Sequence, residues 1–180
     1  MVWQRSGWGD VHHHKFDTPS NVESHEHHFL LQRVQPAMIG LIDGSLSTLA
    51  PIFSVVLISH KPLYAFVAGL ATSFGAGVSM AFSEGLSDTG ELTGRGSPLV
   101  RGGITGAGTF IGGILHSLPF LIPNYHAALI TAFGVVAFEL IALAALRSKF
   151  FDTSFGTSLA AVSLAGAIIV AISALLGATV

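Results

Sequence analysis

The chain has 180 residues, 51% of them apolar and only 10% charged, with a formal net charge of -2. An ordinary soluble domain carries roughly 25% charged residues, so a water-facing surface on all sides is excluded. Cysteine is absent, which rules out disulfides and thiolate metal ligands without fixing the compartment.

Residues 1 to 35 form a polar tail that holds six of the nine histidines: His12, His13, His14, His25, His27 and His28. Imidazole binds iron, zinc, nickel and copper, so Glu23, His25, Glu26, His27 and His28 are candidate metal-capturing residues. Their spacing fits no fixed site, and a solvated tail that binds nothing is the plainer alternative. Between Asn21 and Gln35, polar residues alternate with Phe29, Leu30, Leu31 and Val34. That pattern predicts a short amphipathic helix on the membrane surface, capped by Ser20 or Asn21.

Five apolar blocks follow, at Pro36 to Ser59, Leu63 to Leu86, Leu99 to Ile122, Tyr125 to Leu146 and Ser154 to Val180. Each is about 20 residues or longer, enough to cross a ~30 Å hydrocarbon core at ~1.5 Å per residue. The first starts too far from Met1 to read as a cleavable signal and is expected to be retained. The predicted architecture is an all-α integral membrane protein, with a cytoplasmic tail over 1–35 and a five-helix domain over 36–180. Seven of the eight Lys and Arg fall on one side, with Lys61 alone opposite. The positive-inside bias then places the N-terminus in the cytoplasm and the C-terminus outside. The third block is rich in glycine, and Gly102 with Gly106 and Gly108 with Gly112 predict close packing of helix backbones.

Charged groups at membrane depth cost about 2.5 to 3.5 kcal/mol on insertion scales and point to function. Asp43, Glu84 and Glu139 qualify, and the alternating direction of the spans predicts that all three lie in the cytoplasmic half. Ser47 stands one turn from Asp43, and Met80 one turn from Glu84. Pro51 lacks an N–H and leaves the Ser47 carbonyl unclaimed. Carboxylate with thioether suits Fe2+ or Mn2+ better than Ca2+ or Mg2+, which makes Asp43, Met80, Glu84, Ser47 and Glu139 the candidate metal residues. Each has a plainer reading: Glu139 as a buried protonated acid, Met80 as core filling, Glu84 as an interfacial charge. His60, His116 and His126 read as interfacial packing near the outer ends of spans.

The segments Gly40 to Phe53, GLIDGSLSTLAPIF, and Gly75 to Gly85, GAGVSMAFSEG, resemble the vacuolar iron transporter family. Val34 to Pro36 (VQP), Leu86 to Pro98 (LSDTGELTGRGSP) and Leu118 to Pro123 (LPFLIP) are similar to the membrane half of bacterial membrane-bound ferritin proteins. The resemblance spans about residues 30 to 180. It implies a five-helix homodimer exporting cytoplasmic Fe2+ in exchange for protons, with Asp43, Met80 and Glu84 on the path, in a bacterial inner membrane. Two family features have no counterpart: the long acidic insertion between the second and third helices, and the ferritin-like domain. Only the short loop around Asp88 and Glu91 stands where the insertion would be.

Rival readings are a transporter of Mn2+, Co2+ or Zn2+ on the same scaffold, and a non-transporting partner that recruits an iron-storage protein. No resident cofactor and no nucleic-acid partner are expected. An enzyme is not expected either, since no nucleotide-binding glycine loop or catalytic triad stands at usable spacing.

Overall fold

A computed structural model describes residues 25–87, 89–91 and 93–177. Five helices are long and apolar enough to cross a membrane, so the chain is an integral membrane protein. Helix α1 is His25–Ser59, α2 Pro62–Ser87, α3 Pro98–Ser117, α4 Tyr125–Phe150 and α5 Phe155–Gly177. A 3-10 turn, Leu118–Leu121, extends α3 before the chain reverses into α4. Asn124 caps α4 by accepting from the Ala127 N–H at 2.9 Å. His60 takes the left-handed conformation, φ 54, and ends α1.

α1 is not uniform. A π-helical turn, Leu30–Val34, precedes the regular helix Gln35–Ser47, and a second regular piece runs Leu49–Ser59. The turn at Thr48 lies just before Pro51, whose missing N–H leaves the carbonyl four residues back without its helical donor. The helix foreseen between Asn21 and Gln35 is, over its described part, the beginning of α1 itself. Gln32 anchors it by donating from Nε2 to the Gly94 carbonyl at 3.0 Å, in the loop between α2 and α3.

α3 is the centre of the bundle and the most buried of the five spans. Its glycines form a smooth surface against which α1 packs on one side and α2 on the other. Gly40 and Gly44 of α1 lie against the backbone of Thr105 and Thr109, and Gly108 and Gly112 of α3 lie against Ala37, Leu41 and Ser45. Gly77 of α2 meets Gly106, and Gly102 meets Ala81. The order of these contacts makes α1 run parallel to α3 and α2 antiparallel to it. This is the close approach that small residues allow in lipid, where the apolar solvent offers no drive for helices to associate.

At the end of the bundle marked by the 3-10 turn, larger side chains take over. Leu49, Ile52, Phe53 and Val56 of α1 pack with Ala65 of α2, Phe120, and Ala128 and Ala132 of α4. Phe53 and Phe120 meet edge to face with ring centroids 6.4 Å apart. α5 lies against this second half of α1 and against α4.

Candidate functional site

Asp43 is half-buried on the first regular piece of α1, one residue before the glycine that touches Thr109. No ion pair or hydrogen bond to its carboxylate exists among the described residues. One turn further along, the Ser47 hydroxyl oxygen is buried and has no hydrogen-bond partner. The Ser47 carbonyl lacks its helical donor because Pro51 stands at that position. Asp43 and Ser47 therefore form a short column of unsatisfied oxygens on one helix face, at i and i+4. A buried oxygen without a partner is costly, and such a column is where a cation or a proton is best received.

Glu84 is engaged differently. Its Oε1 accepts from Arg95 Nη2 at 2.7 Å and from Arg101 Nε at 3.0 Å. Arg101 is fully buried, and its Nη1 also donates to the Gly96 carbonyl at 3.0 Å. Gly96 has φ +71, a conformation that favours glycine and aims that carbonyl at the guanidinium. The cluster ties the end of α2, the following loop and the first turn of α3 together. Read from sequence, Glu84 is a candidate metal ligand; in the structure it is the partner of Arg95 and Arg101.

Glu139, on α4, pairs with His116 on α3, with Nε2 and Oε2 2.8 Å apart. The three carboxylates are therefore not gathered at one depth. Glu84 lies at the level of Arg101, Asp43 at that of Thr109 and Glu139 at that of His116. Steps of seven to eight residues along α3 correspond to roughly 10 to 12 Å each at ~1.5 Å per residue. Among the described residues, no three His, Asp or Glu side chains are grouped as a metal site would need. Met80 is partly buried on α2.

No family model, curated protein or solved structure matches the chain. In the tail, His25, Glu26, His27 and His28 are exposed on the first turns of α1, and His28 Nδ1 lies 3.3 Å from Gln32 Nε2. Glu23, like His12, His13, His14 and Asp88, lies outside the described residues.

Sequence reasoning missed His116 and Arg101 as partners of the two outlying carboxylates. A signal existed for the first. An acid inside a span needs a partner, and His116 is the one titratable residue on α3 beyond its first turn. For Arg101 the signal was weak, because a cation three residues past Pro98, at the end of a glycine-containing loop, reads as solvent-exposed.

Proposed function

We propose that this chain is a divalent-metal transporter that exports Fe2+ from the cytoplasm in exchange for protons, with the metal passing Asp43. The observation that carries the reading is the Asp43 carboxylate, held inside an apolar span with no ion pair or hydrogen bond among the described residues. A permanent structural role would give such a charge a fixed partner, as Glu84 and Glu139 each have. An unpartnered acid beside an unsatisfied hydroxyl instead suits a ligand that comes and goes.

Among the described residues, one chain offers too few ligands to hold a metal ion at Asp43. A second copy, bringing its own Asp43 and Met80, would complete the set, which is why the working unit is read as a homodimer. The thioether of Met80 favours Fe2+ over Ca2+ or Mg2+. Two such carboxylates facing one another do not both remain ionised without a cation between them, so metal and proton compete for the same place. Export and a bacterial inner membrane are what the resemblance to the vacuolar iron transporter family implies, and the cation bias that puts the tail in the cytoplasm agrees with that orientation.

The test is Fe2+ flux into liposomes holding the purified protein under an imposed proton gradient. Gradient-driven flux that disappears in Asp43→Ala supports the proposal. Flux that survives in Asp43→Ala removes Asp43 from the path. Absence of flux in the folded wild-type dimer removes the transport of Fe2+.

A further inference from the structure

Pro36 opens the first apolar block and Leu146 closes the fourth, so Gln35 and Arg147 beside them stand where hydrocarbon gives way to lipid headgroups. The fold brings these two residues to one place. A pocket of about 260 Å³ lies between α1 and the last turn of α4, with Gln35, Arg147 and Thr153 on its polar side. Met38, Ile42 and Phe151 are on its apolar side. Ile39 also borders it and, like Phe151, is 37% exposed on the bundle surface.

The polar side is incompletely satisfied. The half-buried Arg147 guanidinium makes no ion pair or hydrogen bond among the described residues, although Asp152 follows it by only five positions. Gln35 Oε1 is buried and has no hydrogen-bond partner. Thr153, by contrast, is engaged. Its hydroxyl donates to the Arg147 carbonyl at 3.4 Å and lies 2.9 Å from Ser158 Oγ, which fastens the last turn of α4 to the first turn of α5. Arg147 is thus held through its backbone while its guanidinium faces the pocket. A cation in the last turn of a helix complements the helix dipole, which accounts for the charge of Arg147. It does not account for the unpaired amide oxygen or for the exposed isoleucine and phenylalanine alongside. Arg33 on α1 and Lys149 on α4 add positive charge at this end of the bundle, and Asp152 lies exposed in the connection to α5. Lys149 is drawn over the Phe150 ring, its Nζ 5.7 Å from the ring centroid.

We propose that this pocket binds an anionic phospholipid with a hydroxylated headgroup, of which phosphatidylglycerol is the simplest. The phosphate sits against Arg147, a headgroup hydroxyl donates to Gln35 Oε1, and the acyl chains run along Ile39 and Ile42 into the bilayer. The planar guanidinium fork matches two phosphate oxygens at once. A free phosphate ion has no use for Ile39, Ile42 and Phe151, whereas a lipid needs both the cation and the apolar wall. A basic pocket between helices at headgroup level is the setting in which anionic lipids are held. The site stands on this geometry whether or not the chain moves metal.

The experiment is native mass spectrometry of the full-length protein released from detergent, titrated with phosphatidylglycerol or with phosphatidylcholine of identical acyl chains. One phosphatidylglycerol per chain is expected to bind roughly fivefold more tightly than phosphatidylcholine, the factor that one cation near the headgroups contributes. Arg147→Gln is expected to erase that preference and Lys149→Gln to keep it. Gln35→Leu removes a buried unpaired oxygen, so it is expected to fold as firmly as the parent while lowering the preference. Equal affinity for the two lipids in the wild type, or a preference that survives Arg147→Gln, overturns the site. Displacement of the lipid by millimolar inorganic phosphate overturns the lipid assignment in favour of a free anion. A measurement on the wild type alone guards against variants that fail to fold. Phosphatidylglycerol with a photoreactive group in its acyl chain is expected to label the segments holding Ile39 and Phe151, and labelling confined to other helices overturns the proposal.

Discussion

Asp43 and Arg101 show how differently a charge is treated in two places of one bundle. Asp43 has no ion pair or hydrogen bond among the described residues, so Asp43→Ala is expected to fold as the parent does and to lose metal flux. Asp43→Glu keeps the charge one methylene displaced and is expected to retain part of it. Flux assays paired with thermal unfolding in detergent separate these outcomes. Arg101 is the reverse case. Its removal leaves Glu84 and the Gly96 carbonyl without their buried donor, and breaking a buried pair from one side costs about 3 to 5 kcal/mol. Arg101→Met is therefore expected to lower the unfolding temperature strongly. Arg95 is a second, partly exposed donor to Glu84, and Arg95→Met, which leaves the fully buried Arg101 in place, is expected to cost less. Equal losses in the two variants would show that Arg101 is not the anchor.

At the scale of helices, the parallel crossing of α1 and α3 depends on the missing side chains of four glycines. A Cβ at Gly44 would collide with the Thr109 carbonyl, a backbone atom that cannot turn aside. Gly44→Ala is expected to separate the helices and destabilise the fold by more than 2 kcal/mol, on the order of an overpacked core. Gly134 on α4 has nothing within 4 Å of its would-be Cβ, and Gly134→Ala is expected to be neutral or slightly stabilising. Unfolding of the two variants side by side checks the contrast. The helices themselves were legible from apolar block length alone, and the glycine spacing of α3 announced its close packing. What could not be read was depth. Counting residues from the edges of apolar blocks carries an error of several residues, enough to merge three carboxylates that the structure strings along α3. The partners were hidden for a related reason. His116 and Arg101 meet their acids across helices, and a linear pattern carries no record of which helices are neighbours. Asp43 was legible because its peculiarity is local: an acid and a glycine interrupting an apolar run, with Ser47 and Pro51 at fixed offsets.

For the molecule as a whole, the proposed path requires two copies and a supply of metal. The exposed residues His25, Glu26, His27 and His28 project from the same end of α1 that clasps the loop between α2 and α3. If they gather metal for the entrance, deletion of residues 1 to 28 is expected to raise the metal concentration needed for half-maximal flux while leaving the maximal flux intact. An unchanged concentration dependence would leave the tail without that role.

The glycine-lined α3 has a consequence for how the chain is made. Of the five spans it is the least apolar, while α4 and α5 are the most. Insertion into a bilayer is decided largely by the side chains each segment shows to lipid. α3 shows glycine, threonine and a cation, so it enters most readily when α1 and α2, synthesised before it, already wait to cover it. Synthesis order and burial thus coincide: the span least able to stand alone in lipid is the one whose two covering helices precede it on the ribosome.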